Sequence, residues 1–177
     1  MPTATDSAAG VRWDLSALFS GLDDPKIEST WVKAKADADA FASRYRGRIE
    51  TPDLDAGVLA QAIREIEAIS ASIAKPIGYG HLLFACDTAN HEIGAFMQRQ
   101  MERATEIGVV LMFFELELQK APQEAVDRVL ADTRLADYAH YVHVARTYSP
   151  YRLSEKEEVL LEETANTGAR AWKRLFE

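Results

Sequence analysis

One cysteine in 177 residues, Cys86, excludes an intrachain disulfide. Set at the end of Leu82-Leu83-Phe84-Ala85-Cys86, it reads as a core thiol, with a reactive nucleophile as the other reading. Basic clusters are also missing. With 20 Lys plus Arg against 28 Asp plus Glu, the net charge of −8 repels a phosphate backbone, and nucleic acid is set aside as a partner. Long apolar runs are absent too. The longest, Ile107 to Phe114, is about half of the ~18 residues that a membrane-spanning helix needs, so no membrane partner is expected. The N-terminus, Met1 to Gly10, lacks a positive region followed by an apolar stretch. It does not read as a secretory signal, and the expected location is cytoplasmic.

Glycine and proline are sparse, and β-branched runs are almost absent, which favours an all-α protein: a multi-helix antiparallel array. The length suits one domain or one and a half. Asp24-Pro25 reads as a cap and a first-turn proline. The spacing Ile27, Trp31, Ala34, Ala38, Phe41, Tyr45 then marks one helix face ending near Gly47. Thr51-Pro52 opens a second helix with Leu59, Ala62, Ile66, Ile69 and Ile73 as its stripe, and Pro76 closes it. A short apolar helix covers Ile77 to Ala85.

Asn90 caps a long helix to about Lys120, with Met97, Met101, Ala104, Gly108, Leu111 and Leu118 on one face. Its centre, Val109 to Phe114, is apolar all round, which makes it the expected spine of the fold. Further helices run from Pro122 to Ala131 and from Ala136 to Tyr148, and Ser149-Pro150-Tyr151 breaks the chain. Ser154-Glu155-Lys156-Glu157 is a capping box opening a last helix with Leu161, Ala165, Gly168, Trp172 and Leu175 on one face. Before the first helix, Trp13, Leu15, Leu18 and Phe19 are expected to dock on the body. The last helix has no terminating signal, and its apolar face lacks a cover within the chain. We therefore expect a C-terminally truncated piece of a longer protein, divided into a flexible tail (1–12), an N-terminal helical subdomain (13–121) and the start of a following helical region (122–177).

Chemistry is thin. His91-Glu92-Ile93-Gly94-Ala95 approaches the His-Glu-x-x-His zinc pattern, but Ala95 stands where the second imidazole must be, so a solvated first helical turn is the reading. Asp137, His140 and His143 recur every three residues; a ferritin-type metal pair requires Glu-x-x-His twice and further glutamates on facing helices, and only an Asp version occurs, once, so hydrogen bonding is preferred over metal ligation. His81, beside apolar residues, reads as a satisfied core group. Glu155, Glu157, Glu158, Glu162 and Glu163 read as a solvated helix face favoured by the macrodipole. No Gly-x-Gly-x-x-Gly, phosphate loop or Gly-x-Ser-x-Gly elbow occurs. No residue is assigned as catalytic, cofactor-binding or metal-binding.

The segment Trp13-Asp14-Leu15-Ser16-Ala17-Leu18-Phe19-Ser20-Gly21 with Asp23-Asp24-Pro25 resembles the start of oligoendopeptidase F-like zinc metallopeptidases of the thimet oligopeptidase-like superfamily. Phe41, Tyr45, Gly47 and Phe113-Phe114-Glu115-Leu116-Glu117-Leu118 continue the resemblance. Its strongest stretch is Tyr138 to Phe176, above all Leu153 to Glu158 and Ala171 to Phe176. The resemblance implies the N-terminal helical region of an enzyme that hydrolyses short peptides, walling one side of its channel. Zinc would belong to the full-length enzyme, held by a downstream His-Glu-x-x-His helix and a further glutamate, with none bound here. The implied partners are the missing C-terminal catalytic region and short peptide substrates. The alternative is a stand-alone helical interaction module without enzymatic activity, closing a homo-oligomer through its exposed apolar helix face. A helical metal-carboxylate protein using His140 and His143 is a third possibility.

Overall fold

The computed structural model describes residues 14–176, with side chains described as far as Lys173. Among them no strand forms, and the all-α expectation holds. Seven α-helices follow in order: α1 (Pro25–Tyr45), α2 (Ala56–Cys86), α3 (His91–Lys120), α4 (Gln123–Leu130), α5 (Ala139–Thr147), α6 (Glu155–Ala165) and α7 (Ala169–Phe176). Short 3₁₀ turns at Thr133–Tyr138 and Ser149–Tyr151 flank α5. Helices α1, α2 and α3 pack pairwise around one core, α5 and α6 lie against α3, and α7 contacts α6.

Helix α1 forms as its sequence dictates. The Asp24 carboxylate accepts from the backbone N–H of Lys26 at 2.9 Å and of Ser20 at 2.8 Å, satisfying a helix donor and tying the incoming loop. Hydrogen bonds from Ser20 and Lys26 hold this carboxyl below its usual range. All six residues of the expected stripe are buried. Beyond the C-cap, Gly47 has φ +76°, which a side chain would strain. The incoming segment docks through Phe19, whose ring meets Tyr79 edge-on with centroids 5.3 Å apart, and through the half-buried Leu15. Leu18 remains exposed, and Trp13 lies outside the described residues.

Helix α2 departs from the sequence expectation at both ends. It begins at Ala56, because the Asp55 carboxylate supplies the cap by accepting from Val58 N at 2.9 Å; Thr51-Pro52 belongs to the preceding turn. Pro76 does not close the helix, and the expected separate helix at Ile77 to Ala85 is its continuation. A proline inside a helix removes one hydrogen bond and costs about 3 kcal/mol in isolation. Here Pro76, Tyr79 and Gly80 are buried, and a Cβ on Gly80 would sit 3.4 Å from both Met97 Cα and Phe96 Cε1. The close approach of α2 to α3 thus offsets the lost bond.

Helix α3 has the expected bounds and is the spine, touched by α1, α2, α5 and α6. Its buried face is rotated from the expected one. It runs through Phe96, Gln100, Ile107, Leu111, Phe114 and Leu118, leaving Met97, Met101, Ala104 and Gly108 half-buried. Gln100 lies on this face because both ends of its amide are hydrogen-bonded. Its Oε1 accepts from Trp31 Nε1 at 2.7 Å, and its Nε2 donates to the Phe96 carbonyl at 3.1 Å. Replacing Gln100 with methionine strands the indole N–H in the core and is expected to cost about 1–3 kcal/mol by urea unfolding; an unchanged midpoint would contradict this role.

The expected helix at Ala136 to Tyr148 is a 3₁₀ turn followed by α5. The expected last helix is two, since the chain breaks at Asn166-Thr167-Gly168 between α6 and α7. The Ser154–Glu157 capping box forms as read. Arg146 joins this half to the spine, its Nη1 donating to the carbonyls of Leu118 at 2.6 Å and Ala121 at 2.8 Å, where α3 leaves acceptors unpaired. Arg46 does the same for α6. Its guanidinium stacks over the Phe113 ring, 4.4 Å from the centroid, and pairs with Glu155 at 2.6 Å.

Candidate functional site

Between α2 and α5 the packing leaves an open groove of about 920 Å³. Helix α2 contributes Ile63, Ile66, Glu67 and Ser70, residues three or four apart on one helix surface. The facing wall comes from the 3₁₀ turn and α5: Asp137, Tyr138, His140, Tyr141 and Val144. Val142 and Ala145 anchor α5 in the core, which turns Tyr141 and Val144 toward the groove's exposed side.

The polar groups are aromatic hydroxyls and carboxylates. Tyr138 Oη donates to Glu67 Oε2 at 3.0 Å, bridging the two walls. That bond, with burial adding to it, raises the Tyr138 phenol, because a deprotonated oxygen would face a carboxylate. Tyr141 is pushed up to about 12, first by partial desolvation and then by the charges of Glu115 and Glu67. Both phenols are therefore neutral hydrogen-bond donors at any physiological pH. The groove combines an apolar floor, two phenols and an acidic rim.

Few of the residues singled out in the sequence meet here. Asp137 and His140 line the groove, and His143 on the same helix is exposed away from its walls. Among the described residues, no three His, Cys, Asp or Glu side chains come together as metal ligands, so this region does not fit the zinc of the resembled enzymes. His91 and Glu92 are exposed at the start of α3, where the Asn90 side chain accepts from Glu92 N at 2.9 Å.

Two readings are corrected. Cys86 is exposed rather than a core thiol, and His81 is exposed rather than a satisfied core group. Both follow from α2 running on past Pro76, whose periodicity turns these positions outward while Tyr79 and Gly80 face α3. The acidic run on α6 is solvated but employed: Glu157 caps, Glu158 accepts from Leu153 N at 3.0 Å, and Glu162 takes both oxygens to Arg170 at 2.9 Å. Glu67 and Tyr141 were not singled out, since an exposed glutamate and a tyrosine between histidines carry no motif. The only trace was the Tyr138, Tyr141, Val144 spacing along one helix surface.

Residues 117–177 match the family model described as Oligopeptidase F (Peptidase_M3_N), in keeping with the N-terminal region of an oligoendopeptidase F-like peptidase. The match spans the last turn of α3 through α7 and contains the whole α5 wall of the groove; the α2 wall precedes it. It also contains the strongest stretch of the sequence resemblance, Tyr138 to Phe176. No curated protein and no solved structure matches the chain.

Proposed function

We propose that this chain is the N-terminal, channel-wall region of a zinc-dependent oligoendopeptidase that hydrolyses peptide bonds in short peptides. The observation that supports this is the Oligopeptidase F match over residues 117–177. In this reading 13–121 form a helical subdomain and 122–177 open a helical region that continues into the catalytic part; the tail expected at 1–12 lies outside the described residues. Zinc, its ligands and the general-base glutamate belong to sequence outside these 177 residues, and no catalytic step falls to any residue here. The contribution of this region is steric: packed helices exclude folded proteins and border the path of a peptide. Its acid excess suits a cytoplasmic enzyme.

A second reading has one observation in its favour. On α6 and α7, Leu160, Leu161 and Trp172 are 60%, 55% and 66% exposed, a surface that a second copy of a stand-alone module could cover as well as a catalytic region. Two measurements separate the readings. The purified chain is expected to leave quenched fluorescent peptides uncut with zinc present, and the gene's reading frame to continue into a His-Glu-x-x-His segment. A stop codon after residue 177 together with a stable dimer in sedimentation would establish the module instead. Zinc-dependent cleavage by this chain alone would overturn the assignment of catalysis elsewhere.

A further inference from the structure

We infer that the groove between α2 and α5 receives a short peptide segment carrying a lysine or arginine beside an apolar side chain. The inference rests on the peptide-handling reading above and adds to it the class of peptide and the residues that select it. The floor is apolar, formed by Ile63 and Ile66, and Val144 on the facing wall adds to it. Its size suits a few residues rather than a single side chain or a folded surface. The rim is acidic. Glu67 and Asp137 stand on opposite walls, and Glu115 lies close enough to Tyr141 for its charge to be felt there. Among the described residues, Arg64 brings a positive charge to Tyr138, to which it also hydrogen-bonds. His140, also on the rim, adds a titratable neighbour.

Two carboxylates, Glu67 and Asp137, line the groove and a third, Glu115, acts on Tyr141, against the guanidinium of Arg64 at Tyr138, so the charge of these groups together is negative. Tyr138 donates to one oxygen of Glu67, so the other oxygen can accept from an incoming cation. The two tyrosine rings add faces that attract a partly desolvated ammonium or guanidinium. An acidic peptide would have to bury its carboxylates against this rim. A second copy of the chain, at net charge −8, is a poor electrostatic match as well. A basic, apolar segment satisfies the floor and the rim together.

The test is fluorescence anisotropy with the intact 177-residue chain and two labelled pentapeptides, Leu-Arg-Phe-Lys-Leu and Leu-Glu-Phe-Glu-Leu. The basic peptide is expected to bind about tenfold tighter or more, and the margin to shrink as salt rises from about 50 to about 300 mM. In the double variant Glu67→Gln, Asp137→Asn the preference should fall to about twofold or less. Both replacements are nearly isosteric and exposed, so circular dichroism and melting temperature should be unchanged. Equal affinity for the two peptides, or a basic preference that survives the double variant, overturns the inference. So does failure of the basic peptide to bind. None of those outcomes touches the channel-wall reading, which stands or falls on the downstream reading frame.

Discussion

Replacing Phe41 with alanine is expected to lower the stability of this chain by about 3–5 kcal/mol, a large part of the total for a domain of this size. Phe41 is 1% exposed at the junction of α1 and α3, with ring centroids 4.8 Å from Tyr45, 5.8 Å from Phe113 and 5.6 Å from Phe114. Truncation removes the transfer free energy of a phenyl ring and leaves a cavity. That cavity cannot easily collapse, because its walls are held elsewhere. Phe113 lies under the Arg46 guanidinium, Tyr45 donates to Glu65 at 3.0 Å, and Phe114 sits within α3 where it is fully buried. The check is urea unfolding, in which the midpoint should fall with little change in slope. Phe41→Leu, which keeps most of the volume, should recover more than half of the loss. A loss below about 1 kcal/mol for alanine would show that the aromatic cluster is not central to the core.

The second large effect is expected at Glu117. It is a carboxylate 6% exposed on a helix that supplies the spine, yet no lysine or arginine pairs with it among the described residues. Its partners are backbone groups of the loop after α1: Oε1 accepts from Gly47 N at 2.7 Å and Oε2 from Ile49 N at 3.2 Å. Gly47 takes a positive φ that turns the chain on toward Ile49, which is itself fully buried. Glu117→Ala would strand two donors at once, at a cost of about 2–4 kcal/mol. Glu117→Gln keeps one acceptor oxygen and should lose roughly half as much. Hydrogen exchange provides the specific readout. The amides of Gly47 and Ile49 should lose protection in the alanine variant well before those of α2 do. If their protection is unchanged, the clamp has been misidentified, whatever happens to global stability.

These two positions differ in how far they could be read from the chain alone. Phe41 falls on the period of α1, between Ala38 and Tyr45, and its burial follows from the pattern. Glu117 follows from nothing local. A glutamate between Leu116 and Leu118 looks like any solvated helix residue, and only the return of the α1 loop, roughly seventy residues earlier in the chain, makes it a buried acceptor. Gln100 is a similar case, visible only once Trp31 is placed opposite it. The groove divides in the same way. Its α5 wall lies on one helix surface in the sequence, whereas its α2 wall could be recognised only after Glu67 was found within reach of Tyr138.

What the sequence determined by itself was local: the all-α class, the caps at Asp24, Asn90 and Ser154, the stripe of α1 and the bounds of α3. Each depends on interactions within about four residues, where periodicity and side-chain chemistry leave few alternatives. The tertiary structure decided the rest. It carried α2 through Pro76, because burying Tyr79 and Gly80 against α3 outweighs one missing hydrogen bond, and that same continuation turned His81 and Cys86 outward. It rotated the buried face of α3 toward Gln100, broke the last helix at Gly168, and set two tyrosines and two carboxylates around one apolar groove. Those outcomes balance a local cost against contacts with distant segments, and a distant contact has no strength until the fold has brought its two sides together.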